Sequence, residues 1–227
     1  MLPYLNEEFG NPSSKYYCQA TRAKAAVEDA REKVARLIGA SPEEIIFTAG
    51  ATESTNFIIK GYLDYRKFYG DGKNHVITSL VEHKATLNTC KYLNGELYSN
   101  NDPTISLFGE KKRVNRGFEA SFVGVTPNGE INIEDIALKI KENTALVSIL
   151  YVNNEIGTIS DVEAVSALCR NNNIAFHSDL TQALGKMQID IKKMGIDYAS
   201  CSAHKIYGPK GIGAAFMKFD AYGIAPI

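Results

Sequence analysis

Cysteine is scarce in this sequence and never clustered. The four cysteines, Cys18, Cys90, Cys169 and Cys201, stand far apart, with no C-x-x-C pair and no His/Cys group of zinc-site spacing. That argues against a disulfide framework and a metal centre, and the thiols read as reduced and intracellular. Long apolar runs are also missing: no stretch approaches the roughly 20 apolar residues needed to cross a bilayer, and the opening Met1-Leu2-Pro3-Tyr4-Leu5 has no basic segment leading into such a run. A soluble cytoplasmic chain with no membrane partner is the expectation. An excess of either charge is absent as well. With 25 basic against 26 acidic residues and a net charge of -1, nothing here provides the electrostatic footprint of a nucleic-acid binder. Internal repeats and low-complexity tracts do not occur, so the expected partner is a small molecule or another protein.

What is present is a chain of 227 residues, 44% apolar, long enough to bury one substantial core. Ala23, Val27, Ala30, Val34 and Leu37 recur at spacings of four and three through a charged stretch, which predicts one buried stripe of a helix stopped by Gly39. Glu44 to Phe47 reads as a strand running into the small-residue turn Thr48-Ala49-Gly50-Ala51-Thr52, with a helix from about Glu53 to Tyr62. His75 to Thr78, Ala145 to Tyr151, Ile174 to His177, Tyr198 to Ser202 and Gly213 to Met217 supply further strands, and Val162 to Arg170 and Ile133 to Glu142 further helices. Parallel strands need crossover helices. The alternation therefore predicts an α/β domain over residues 1–227, a three-layer α/β/α arrangement on a mostly parallel sheet. Between Tyr92 and Arg116 the polar residues lack periodicity and read as a mobile surface loop.

Ligands of open α/β sheets sit at the carboxyl ends of the strands. Residues at those positions are therefore the ones to weigh. Ala51 and Thr52 close a turn of small residues just before a helix, where backbone N–H groups could receive a phosphate; Thr52 as a plain helix cap is the equal alternative. Asp179 ends a buried strand, where a protonated heterocyclic nitrogen would stabilise its charge, or where it could cap the following segment. Asn153-Asn154 offers amides suited to a hydroxylated ring, and otherwise is a polar loop. Ser202-Ala203-His204-Lys205 joins a strand end to the Gly/Pro-rich Tyr207-Gly208-Pro209-Lys210-Gly211. A lysine placed there could act as an amine nucleophile rather than as a solvated charge. His83, a few residues past another strand, could stack on a flat ring and move protons.

Taken in order along the chain, six segments resemble the cysteine desulfurases of the NifS/IscS type, within the class V aminotransferases of pyridoxal-phosphate (PLP) fold type I. They are Phe9-Gly10-Asn11-Pro12-Ser13-Ser14, Phe47 to Ser54, Glu82-His83-Lys84-Ala85, Val152 to Gly157, His177-Ser178-Asp179 with Gln182, and Ser202 to Lys205 with Tyr207 to Gly211. The resemblance implies PLP held by Lys205 as a Schiff base, Asp179 on the pyridinium nitrogen, and Ala51, Thr52, Ser202 and His204 around the phosphate. It further implies Asn154 and Gln182 on the hydroxyl side of the ring, and His83 stacked on the ring as the proton-transfer group. The implied reaction takes sulfur from free L-cysteine onto an enzyme cysteine as a persulfide, leaving alanine. It implies a homodimer, a sulfur-acceptor protein, and supply to iron–sulfur cluster or other sulfur-transfer pathways.

Relative to that family, the expected opening strand, the nucleophilic cysteine region and the small C-terminal domain are absent, so the chain reads as an incomplete large domain. None of the four cysteines stands at the family's nucleophile position, and Cys201, inside a strand, reads as a small buried residue. The loop from about Gly95 to Arg116 is about 20 residues longer than is typical of the family. Two alternatives remain at this point: a non-catalytic scaffold or partner subunit derived from a desulfurase, and another class V enzyme such as a selenocysteine lyase.

Overall fold

The computed structural model describes residues 1–96 and 114–219. Most of the polar Tyr92 to Arg116 stretch, with the loop behaviour expected of it, therefore lies outside the described residues. Seven strands form one sheet: β1 (Ile45–Thr48), β2 (His75–Ser79), β3 (Glu119–Val123), β4 (Thr144–Ser148), β5 (Ala175–Asp179), β6 (Tyr198–Ser202) and β7 (Gly213–Met217). Their spatial order is β1-β7-β6-β5-β4-β2-β3. The pairs from β3 across to β6 are parallel, and β7 runs antiparallel to both β6 and β1. Six strands thus end on one edge, where β7 begins.

The helices are α1 (Leu2–Asn6), α2 (Cys18–Ile38), α3 (Ala51–Phe68), α4 (Lys84–Leu93), α5 (Ile133–Ala137), α6 (Val162–Asn171) and α7 (Ile191–Met194). On one face of the sheet, Ile58, Ile59, Tyr62 and Leu63 of α3 pack with Cys90 and Leu93 of α4 onto Val76, Leu146, Tyr198 and Ala215. On the other, Ala35 and Ile38 of α2, Val162, Val165 and Cys169 of α6 and Ile191 and Met194 of α7 cover Ile77, Val147, Phe176 and Phe216. Each fully buried Ile or Leu contributes about 1.5–3 kcal/mol, so both faces are firmly held. The expected three-layer α/β/α architecture is what forms.

Several boundaries differ from the sequence reading. The helix after Thr48 begins at Ala51 and runs on to Phe68, and the strand expected at Ala145 to Tyr151 ends at Ser148. The expected helix from Ile133 to Glu142 stops at Ala137. The predicted stripe of α2 is also rotated toward its C-terminal end. Ala20, Ala23, Ala35 and Ile38 are buried, whereas Ala30 is exposed and Leu37 is 48% exposed. Beside Ala30, Arg31 is half-buried, its guanidinium donating to the Ile45 carbonyl and lying 5.1 Å from the Phe47 ring centroid. Gly39 ends the helix in the left-handed conformation, as its position predicts.

Candidate active site

At the shared edge lies a cleft of about 760 Å³. All nine residues singled out in the sequence line it: Ala51, Thr52, His83, Asn154, Asp179, Gln182, Ser202, His204 and Lys205. They come from segments more than 150 residues apart, and the sheet topology alone brings them together.

The α3 end of the cleft is an open helix N-terminus. Gly50 is the N-cap residue and no side chain caps it, so Thr52 stands inside the first turn and the capping alternative fails. Thr48 Oγ1 bonds Ser54 Oγ at 2.8 Å and donates to the Gly50 carbonyl at 3.1 Å, which shapes the turn from its outer side. Gly213 allows the turn to sit where it does. A Cβ there would lie 2.6 Å from Gly50 Cα and 2.5 Å from the Cys201 carbonyl oxygen, so only glycine lets β7 pass this close. The uncapped N–H groups and the helix dipole favour an anion here.

Asp179 forms the floor. It is 7% exposed, its Oδ1 accepts the Thr181 N–H at 2.9 Å, and no cationic side chain pairs with it among the described residues. Burial pushes its carboxyl above the ordinary range, against the pull of the Thr181 hydrogen bonds and of His83. A cation set against it would reverse that cost. One position back on the same strand face, His177 is fully buried, with Nδ1 2.8 Å from Ser148 Oγ and Nε2 3.2 Å from Ser200 Oγ; Thr55 Oγ1 donates to Ser200 in turn. Burial lowers the His177 pKa to about 3, so this chain across β4, β5, β6 and α3 stays neutral and fixes the strands beneath Asp179.

Lys205 ends a short 3-10 turn, Ala203–Lys205, directly after β6. Its side chain is exposed to the cleft, with no hydrogen-bond or ion-pair partner among the described residues. Ser202, 4% exposed, bonds His204 Nδ1 at 2.7 Å and holds that ring beside the lysine. Tyr207 just beyond adopts φ 63, a strained conformation for a bulky residue, and a Cβ on Gly208 would lie 2.8 Å from that of Ala203. The tight turn thereby returns the chain to the cleft at Lys210 and Gly211.

His83 is the N-cap of α4, and its Nδ1 accepts the Ala85 N–H at 3.2 Å. The neutral ring then carries its proton on Nε2. Asn154 Nδ2 donates to Glu155 Oε1 at 2.8 Å, and Gln182 Oε1 accepts from Lys186 Nζ at 3.0 Å; both amides are solvent-facing partners that a ligand could take over. Sequence reasoning gave no role to Asn56, Thr181 or Lys210, which also line the cleft, nor to Glu82 behind it. Lys210 was within reach, since it stands in the Gly/Pro-rich turn after Lys205. None of the four cysteines lines the cleft, and burial pushes the Cys201 thiol up to about 11.

This chain matches the family model for aminotransferase class-V over residues 1–98 and 108–226. It is 44% identical over 218 residues to the cysteine desulfurase IscS of Rickettsia felis, covering 96% of this chain and 48% of that protein. Against the cysteine desulfurase IscS of Buchnera aphidicola subsp. Baizongia pistaciae it is 46% identical over 220 residues, with coverage of 96% and 49%. Among solved structures, a NifS-like protein superposes with a TM-score of 0.84 at 36% identity, over 100% of this chain and 56% of that one. SspA in complex with cysteine gives the same TM-score and identity over 99% and 58%. The chain spans about half the length of the curated relatives it matches. It belongs to the class-V aminotransferase family, whose members are PLP-dependent enzymes.

Proposed function

We propose that this chain forms the PLP-binding part of a cysteine desulfurase, acting on free L-cysteine to give alanine and a protein persulfide. The observation that carries the reading is that one cleft holds an open helix N-terminus, a buried carboxylate and a lysine, the last two with no charged partner among the described residues. The site fits the cofactor at three points. The uncapped N–H groups of Ala51 and Thr52, with Ser202 and His204, suit its phosphate; Asp179 suits a protonated ring nitrogen; the Lys205 amine suits its aldehyde. Bound there, PLP supplies an electron sink for breaking bonds at an amino-acid α-carbon.

The chain's own residues do the rest. Asp179 holds the proton on the ring nitrogen, and Asn154 and Gln182 orient the ring through its hydroxyl side. Lys205 would hold the group covalently through its amine. His83, with its proton on Nε2, stacks on the ring and moves protons at the substrate. The thiol that accepts sulfur comes from outside the cleft, since no cysteine lines it. The similarity to proteins named cysteine desulfurase, and to one structure that holds cysteine, supports this substrate over selenocysteine. We further infer a homodimer, in line with the exposed Met1, Leu2, Leu5, Phe9 and Tyr16, together with a sulfur-acceptor protein, a role in iron–sulfur cluster biogenesis and a cytoplasmic setting. No helix among the described residues is long and apolar enough to cross a membrane, and the four cysteines are free.

The test is to mix the chain with PLP, follow visible absorbance, reduce with borohydride and map the modified lysine by mass spectrometry, with Lys205→Ala as control. Label on Lys205 that the variant loses is expected. Label scattered over surface lysines would overturn the reading and favour a scaffold.

A further inference from the structure

We propose that Glu82 is a positioning residue of this site: its buried carboxyl clasps the segment carrying His83 to the segment carrying Asn154 and presents both to the same ligand. The proposal rests on the cofactor reading above. Its basis is the way the chain leaves two neighbouring parallel strands, β2 and β4, in different directions. On one side of β4, successive N–H groups of Ile149 and Tyr151 donate to His177 and Asp179 carbonyls, continuing the sheet ladder toward β5. On the other side β2 has already ended at Ser79 and the chain turns away, with Leu80 donating instead to the Val123 carbonyl. The Leu150 N–H, at a residue 3% exposed, is left facing no strand. Glu82 Oε1 accepts it at 3.0 Å, and accepts the Ser79 hydroxyl at 2.8 Å. A side chain thus stands in for the missing strand carbonyl.

A second bond crosses the same seam. Asn153 Nδ2 donates to the Val81 carbonyl at 3.0 Å, while its Oδ1 accepts the Glu155 and Ile156 N–H groups at 2.8 and 3.0 Å and so builds the turn in which Asn154 sits. His83 follows Glu82 directly and opens α4. Glu82 Oε2 and, one helical turn on, Thr86 Oγ1 are buried without partners among the described residues. That is the environment of a neutral carboxylic acid with an O–H to place, and burial indeed raises the Glu82 pKa to about 8. The cleft-facing residues beyond the seam gain a fixed spacing without Glu82 itself touching the ligand.

The experiment compares the wild-type chain with Glu82→Gln, Glu82→Leu and Asn153→Asp. Three quantities are read: borohydride-fixed PLP on Lys205, protection of His83 by PLP from diethyl pyrocarbonate, and hydrogen exchange at the Leu150 amide. Glutamine keeps a neutral acceptor, so Glu82→Gln should retain His83 protection and slow Leu150 exchange. Glu82→Leu should still label Lys205 but lose about fivefold or more of the His83 protection and speed Leu150 exchange about tenfold, the scale of one lost buried hydrogen bond. Asn153→Asp, which keeps the turn acceptor and loses the donor to Val81, should lose His83 protection likewise. Unchanged protection in Glu82→Leu, or loss in Glu82→Gln as complete as in Glu82→Leu, overturns the proposal. If Glu82→Leu does not fold, Glu82→Gln and Asn153→Asp decide by the same criteria. Absence of Lys205 label in the wild type refutes the cofactor reading instead. His83 reactivity in the ligand-free chain, expected to rise in Glu82→Leu and not in Glu82→Gln, then still tests the clasp.

Discussion

Replacing Glu82 by glutamine should stabilise the ligand-free chain by an amount that grows with pH, because the wild-type residue must be buried as an acid that would ionise in the unfolded chain. Burial first, and the neighbouring Asp179 charge after it, raise the carboxyl from its ordinary 4.5 to about 8, opposed by the Leu150 and Ser79 hydrogen bonds. The sign follows from proton counting. Below the unfolded value both states hold the proton and nothing is lost; as pH rises toward 8 the unfolded chain releases a proton that the folded chain keeps, and stability falls. At about 1.4 kcal/mol per pH unit, the loss is about 3 kcal/mol at pH 7 and about 4 kcal/mol at pH 8. Glutamine has no proton to release. Urea unfolding of wild type and Glu82→Gln at pH 5, 7 and 8 should therefore give curves that nearly coincide at pH 5 and separate progressively, with a midpoint difference near pH 7 of about 6–12 °C by thermal unfolding. A gap between the two proteins that stays constant from pH 5 to pH 8 would refute the reasoning, since it would mean that Glu82 is ionised in the folded state.

Asp179→Asn keeps the acceptor for the Thr181 N–H but cannot pair as an anion, so equilibrium dialysis should show PLP held about 10–100-fold more weakly, while the ligand-free fold is no less stable at neutral pH. Gly213→Ala puts a Cβ inside the backbone of the Gly50 turn, and should cost about 1–3 kcal/mol in unfolding experiments and reduce Lys205 labelling, whereas a wild-type Tm would show that the turn yields freely. Of the four thiols, Cys18 is exposed, Cys90 and Cys169 are buried, and the Cys201 thiol, pushed up to about 11, donates to the Ala214 carbonyl at 3.4 Å. A thiol reagent at pH 8 should therefore modify Cys18 rapidly and the other three only on unfolding; fast reaction at Cys201 would contradict its placement.

The strands that carry the site were legible because they announce themselves locally. His75 to Thr78, Tyr198 to Ser202 and Gly213 to Met217 are short β-branched or small apolar runs closed by turn residues, and each forms a strand. Strand β3 escaped notice, since Glu119 to Val123 is only partly buried at the sheet edge and its mixed composition leaves no clear alternation. Helix α4 escaped as well, for Lys84 to Leu93 is rich in threonine and asparagine, which disfavour helices in isolation; packing of Cys90 and Leu93 against α3 decides the matter. On α2, hydropathy likewise gives no sign that Arg31 is half-buried against the Ile45 carbonyl and the Phe47 ring while Ala30 is exposed.

Eight of the nine cleft residues could be singled out from the sequence because they follow strand ends, where position along the chain and position in the site go together, whereas Gln182 came only from the resemblance. Glu82 could not be chosen that way. Its decisive partner, the Leu150 N–H, lies 68 residues on, and the need for that partner arises only because the chain turns toward β3 after β2 while the chain after β4 runs on beside β5. No period, cap or turn signal in either segment encodes that parting of the two chains. The same holds for His177, whose neighbours Ser148 and Ser200 belong to other strands and whose neutrality is fixed by burial. Residues that touch a ligand can be read from local pattern, whereas residues that set the spacing between such residues depend on register. That is why a buried acid next to His83 reads as one more surface charge until the two strand ends are laid side by side.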